Sequence, residues 1–148
     1  MPAFIIRHPT TKDEAQWQGL LTTYSKFYRT TIPEDSLALT WKRIQDPAHH
    51  MWAMVAEQEG KLIGLCNYLF HDDTWSTAPS CYLEDLYVDP AARGLGAAKA
   101  LVLACEADAK AKGAFRLYWL TQEYNAPARS LYDTLAARSS FVVYRKPL

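Results

Sequence analysis

The sequence predicts an α+β fold built around one central mixed sheet, and three observations carry that expectation. Apolar strand-like runs, "MWAMVAE" (51–57), "KLIGLCNYLF" (61–70) and "CYLEDLYV" (81–88), follow one another with short breaks. Amphipathic, capped segments precede and follow them, so helices flank a sheet. No repeat, low-complexity tract or linker interrupts the 148 residues, so residues 1–148 read as a single domain.

The elements follow in order. "AFIIR" (Ala3 to Arg7) reads as a short strand, and "TKDE" offers a capping box of Thr11 and Glu14 opening a helix to about Phe27. Pro33 suits the first turn of a second helix, in which Leu37, Trp41 and Ile44 share one face. The first two long strands meet at "QEG", a hairpin turn where Gly60 supplies the unusual backbone angle. "HDDTWSTAPS" (71–80) reads as a loop before the next strand. A helix after "DPAARGLG" carries Leu101, Val102, Cys105 and Ala109 on one stripe and stops at Gly113. Then come a buried strand, "FRLYWL" (115–120), the loop "QEYN", a helix over "APARSLYDTLAAR" (126–138), and a closing strand, "FVVYRK" (141–146).

Composition narrows the function classes. Lys plus Arg equals Asp plus Glu at 16 each, which removes the electrostatic warrant for a nucleic-acid binder or a polybasic membrane-surface protein. The start lacks the apolar stretch of a signal peptide and no apolar run approaches a membrane span, so no membrane association is expected. Cys66, Cys81 and Cys105 share no short spacing and read as reduced core thiols of a cytoplasmic protein. No metal motif is present. His49 and His50 are adjacent, and adjacent side chains do not share a helix or strand face.

The stretch "RGLGAAKAL" (93–101) opens a helix directly behind a strand. A P-loop reading fails because Lys99 stands between Ala98 and Ala100, and a dinucleotide fingerprint fails because Lys99 occupies its third glycine position. The pattern [RQ]xxGx[GA] fits in full at Arg93, Gly96 and Ala98. A helix start presents unpaired N–H groups and a partial positive charge, and small residues let a pyrophosphate reach them. The competing reading is a strand-to-helix turn that needs glycine only for its angles.

Together with "YLEDLYVDP" before it and "EYNAPARSLY" after it, this stretch resembles the acetyl-CoA-binding core of the GNAT acetyltransferase superfamily, closest in pattern to spermidine/spermine (diamine) acetyltransferases and bacterial histone-acetyltransferase-like members. The second motif aligns at Asn125, Ala128, Leu131 and Tyr132. The resemblance implies a GNAT fold: a mostly antiparallel mixed sheet with a splayed strand pair and about four helices. It implies that Arg93, Gly94, Leu95 and Gly96, with Ala97, Ala98 and Lys99, hold the CoA pyrophosphate. The resemblance further implies that backbone groups of Leu86, Tyr87 and Val88 pair with the pantetheine, that Asn125 bonds it as well, and that Tyr132 protonates or hydrogen-bonds the CoA sulfur. The C-terminal part departs from the family, with Ser140 in "RSSF" where members often carry glycine before the last strand.

The implied activity is direct acetyl transfer from acetyl-CoA to a primary amine of a small cationic substrate, a polyamine or lysine-like amino acid, without a metal. A homodimer is implied, with "FVVYRKPL" packing against or exchanging with the partner. A protein or peptide lysine acetyltransferase and a non-catalytic CoA-binding domain are the alternatives. An amine must be neutral to attack, so an acid near it has to accept its proton. Glu84 and Asp85 are the adjacent acids of the strand "CYLEDLYV"; alternation sends them to opposite faces, so one at most faces a given cleft. The family position favours Glu84 as base, with Asp85 as the other contender. Glu123 reads either as a cleft-edge acid or as a plain loop carboxylate. Tyr68, Phe70, Trp75 and Tyr82 either line an amine site or fill core, and periodicity alone makes Tyr132 a core residue.

Overall fold

Five strands form one sheet in their chain order: β1 (Ile5–Arg7), β2 (Met51–Gln58), β3 (Lys61–Asp73), β4 (Ser76–Val88) and β5 (Arg116–Trp119). The computed structural model describes residues 3–148. The pairings from β1 to β4 are antiparallel, while β5 runs parallel to β4. A parallel pair needs a crossover, and α3 (Ala97–Ala111) supplies it. Two further helices, α1 (Glu14–Phe27) and α2 (Glu34–Gln45), precede the long strands, and α4 (Ala126–Leu135) follows β5.

Two apolar layers sandwich the sheet. On one face α1 and α2 bury Trp17, Leu21, Trp41 and Ile44 against Val55 and Leu65, with the Trp17 and Trp41 rings 5.3 Å apart. On the other face α3 lays the expected stripe, Leu101, Val102, Cys105 and Ala109, against Cys66, Tyr68, Cys81 and Leu83. Gly64 lets the layers close: a Cβ there would stand 3.0 Å from the Tyr87 carbonyl and 3.3 Å from a Leu101 methyl. All three cysteines are buried and unpaired. Tyr68 and Phe70 belong to this core. The Tyr68 hydroxyl donates to Asp108, and the Phe70 ring meets the Tyr68 ring edge-on.

Several expectations are corrected. The segment 71–80 is mostly strand, for β3 runs to Asp73 and β4 starts at Ser76. Asp73 closes the turn between them by accepting the Trp75 N–H at 2.8 Å. The capping carboxylate before α1 is Asp13, which accepts the Thr10 N–H at 2.7 Å, one residue ahead of the expected pair. β5 is a half-exposed edge strand, bare on one side, and α4 ends at Leu135. His49 and His50, in contrast, lie in a loop as their adjacency suggests, with their rings stacked at 4.2 Å. The closing strand does not form. Residues 137–148 are irregular, and Phe141 and Tyr144 are 92% and 94% exposed. A β-favouring run holds no strand without a neighbour to pair with.

Candidate active site

Adjacent acids on a regular strand would diverge, but β4 is not regular here. Asn67 and Tyr68 of β3 pair with Asp85 and Leu83, which leaves Glu84 as an extra, unpaired residue. Leu83 and Leu86 both pack into the α3-side core, so the two acids between them lie together on the opposite face. The expected alternation of Glu84 and Asp85 is thereby overturned. Their tasks still differ. Asp85 turns inward and accepts from Asn67 Nδ2 at 3.0 Å, and Asn67 Oδ1 in turn accepts from Trp17 Nε1 at 3.0 Å. Glu84 reaches the wall of a cavity. Burial raises both carboxyls above their ordinary values; the Asp85 charge adds to the rise at Glu84, while Asn67 opposes it at Asp85.

That cavity, about 710 Å³, is the wedge between β4 and β5. The two strands pair over four residues, ending at Leu83 and Trp119, and then separate. Beyond that point the β4 backbone from Asp85 to Val88 pairs with β3 alone, so its other edge is open to an extended ligand. Leu86, Tyr87 and Val88 line the wedge on one side, Trp119 and Leu120 on the other.

The wedge leads to the start of α3. Gly94 and Gly96 both sit at φ +86°, a conformation other residues rarely adopt, and Gly96 is the N-cap. The first bond of the helix runs from the Ala100 N–H to the Gly96 carbonyl, so the N–H groups of Ala97, Ala98 and Lys99 have no acceptor within it. Arg93 and Lys99 also line the cavity there, while Leu95 lies outside it, exposed. The turn is open: a Cβ added at Gly94 or Gly96 would meet nothing within 4 Å.

The far wall comes from α4. Asn125 caps that helix through Oδ1, which accepts the Ala128 N–H at 3.4 Å, and Pro127 occupies its first turn. Tyr132 faces the wedge with its ring edge-on to Trp119, centroids 5.4 Å apart. It is therefore a cavity residue rather than a core one. Burial, then proximity to Tyr28, raises its hydroxyl pKa, which keeps it protonated through neutral pH.

Two expected site residues stand elsewhere. Glu123 is exposed and lies 3.8 Å from Arg138. Trp75 is 97% exposed at the tip of the β3–β4 hairpin. Tyr82 sits beside the wedge, stacked on Tyr118 at 4.9 Å. One wall went unread in the sequence: Tyr24, Phe27 and Tyr28 at the end of α1 close over Tyr87 and line the cavity. Their spacing of three and four residues was the available signal, an aromatic stripe continuing past the buried part of the helix.

Comparison with known proteins agrees with this geometry. Residues 17–136 match the Acetyltransferase (GNAT) family. A D-amino-acid N-acetyltransferase of Saccharomyces cerevisiae is 31% identical over 144 residues, covering 96% of this chain and 89% of that protein. A thialysine N-epsilon-acetyltransferase of Caenorhabditis elegans is 32% identical over 94 residues, 64% of this chain and 57% of that protein. An aminoglycoside N-acetyltransferase solved in complex with CoA has the same fold, with a TM-score of 0.80 at 24% identity over 98% of this chain and 95% of that one. The chain belongs to the GNAT acetyltransferase family and is an N-acetyltransferase.

Proposed function

We propose that the chain, a single acetyltransferase domain over residues 1–148, transfers the acetyl group of acetyl-CoA directly to a primary amine of a small cationic substrate. One observation carries the reading: a continuous wedge joins the free N–H groups of α3 to Glu84 and Tyr132. Its lining suits the co-substrate. The α3 start suits a pyrophosphate, and Arg93 and Lys99 add charge at its rim. The open β4 edge from Leu86 to Val88 suits the amides of a pantetheine, with Asn125 on the opposite wall.

Glu84 then serves as the base. An alkylammonium with a pKa of about 10.4 must lose a proton before its nitrogen attacks the thioester carbonyl. Glu84, directly or through a water, accepts that proton, and its raised pKa brings it closer to neutrality. The new C–N bond forms as the C–S bond breaks, and Tyr132 gives its proton to the departing sulfur. Asp85, tied to Asn67, contributes negative charge beside the site without entering the wedge.

The acids and tyrosines around Glu84 favour a cation, and the named activities of the yeast and nematode relatives support a free amino group on a small molecule. The assembly we propose is a homodimer in the cytoplasm. Its support is the exposed apolar arm of Phe141, Val142, Val143 and Tyr144, together with the bare outer edge of β5. Sedimentation of the full chain against a chain ending at Ser140 tests the dimer.

The activity is tested by CoA release over polyamines, lysine analogues, D- and L-amino acids and histone-tail peptides. Turnover of the free amines supports the reading. Preference for the peptides moves it to protein acetylation, and CoA binding without turnover reduces it to a binding domain.

A further inference from the structure

The wedge closes at a single register pair. Leu83 of β4 and Trp119 of β5 are the last partners before the strands separate, and both line the cavity. Among the described residues, the next pair along the strands, Tyr82 and Tyr118, takes no part in that wall. Neither closing side chain is free to step aside. Leu83 is buried in the α3-side core, and Trp119 packs against the same cluster. From α4 the Tyr132 ring, edge-on at 5.4 Å, holds the indole in place. A packed interior admits an added methylene only by displacing its neighbours.

We propose that Leu83 and Trp119, Trp119 above all, form a stop that restricts the donor to a two-carbon acyl group. The inference rests on the acetyltransferase reading and deepens it. A CoA whose pyrophosphate lies at the α3 start enters the wedge from its open end, so its thioester lies deepest, toward the closed end. Two groups fix where that thioester sits. Glu84 adjoins Leu83 in the chain, and Tyr132, which serves the sulfur, lies against Trp119. The amine and its base occupy the Glu84 face of the sheet. Leu83 and Trp119 pack toward the other face, so the acyl tail, pointing away from the pantetheine, runs onto them. A methyl ends there, and each further methylene has to displace the indole or the core leucine. Trp119 is thus a specificity-determining residue that takes part in no bond change.

Acetyl-, propionyl- and butyryl-CoA, each with the preferred amine of the acceptor panel, provide the test. In the wild type, kcat/KM should fall about tenfold with the first added methylene and about a hundredfold or more with the second. Trp119→Leu opens the closed end, and there the three donors should come within about threefold of one another. Trp119→Phe, which keeps a ring against Tyr132, should admit propionyl-CoA and still reject butyryl-CoA. Calorimetric binding of acetyl-CoA shows that each variant is folded; if Trp119→Leu has lost it, the donor ratios of Trp119→Phe decide. A wild type that uses the three donors equally overturns the stop, and so does discrimination that survives unchanged in the variants. If no amine is turned over, calorimetry without acceptor decides in place of kinetics. Butyryl-CoA held about tenfold more weakly than acetyl-CoA by the wild type, and equally well by Trp119→Leu, upholds the stop while the transfer reading fails. Equal affinities in the wild type end it.

Discussion

Asn67 Nδ2 donates to Asp85 Oδ2 at 3.0 Å while the same amide's oxygen accepts from Trp17, so one core asparagine anchors both an indole and an acid beside the active site. Removing it should leave two buried groups without partners. Asn67→Ala is expected to cost about 2–4 kcal/mol, read as a lower midpoint in urea.

Asp85 carries the opposite lesson. Its folded pKa lies above the unfolded value because burial outweighs the Asn67 bond. Between those two values the folded chain holds a proton that the unfolded chain has released, so stability falls as pH rises through the window and stays lower above it. Asp85→Asn keeps the acceptor for Asn67 and removes the charge. It should raise Tm at neutral pH, and its advantage should vanish below the unfolded carboxyl value, near pH 4. Thermal melts of both proteins across pH check the sign.

Glu84→Gln should lower kcat by about a hundredfold, the usual contribution of a positioned base. In the wild type the rate should be lost as pH falls through the raised pKa of Glu84, and that acid limb should flatten in the variant. Binding of CoA, which this side chain does not hold, should be unchanged in calorimetry.

Tyr132→Phe retains the ring that meets Trp119 and deletes the proton donor. Its kcat should fall at least about tenfold, with the smallest loss for acyl thioesters whose thiol is already a good leaving group. A Brønsted series of such thioesters distinguishes this from a packing defect, which would depress all of them alike.

At Gly96 the obstacle to a side chain is the backbone, since φ is +86° and the space around is empty. Gly96→Ala should cost about 1–2 kcal/mol of stability through the left-handed conformation alone. Acetyl-CoA KM should rise as the α3 N–H groups shift, with little change in KM for the amine. Steady-state kinetics in both substrates read the two effects apart.

Local order was legible where pattern and packing agree. The stripes Leu37–Trp41–Ile44 and Leu101–Val102–Cys105–Ala109 gave two helices and their buried faces, and the glycines of 93–98 gave the helix start. What escaped depends on partners distant in sequence. The extra residue at Glu84 exists because β3 and β4 slip by one at Asn67, and no alternation rule contains that slip. The segment 71–80 looked like a loop because polar residues dominate it, and Asp72, Thr74 and Thr77 are exposed on the hairpin that β3 and β4 form there. Tyr118 and His71 are 47 residues apart and meet only across the sheet.

The short β4–β5 contact has a consequence for how the molecule holds together. Four register pairs and the crossover helix join β5 to the rest of the sheet, and α4 beyond it has no fully buried residue. Cooperativity is weakest across that seam, so β5 and α4 form the unit that opens first in local unfolding. A molecule lying in the wedge bonds to both banks and stitches them, so co-substrate occupancy acts as a ligature on the C-terminal third. Amide hydrogen exchange should slow from Arg116 to Leu135 when CoA is added, while β2 and β3 keep their rates.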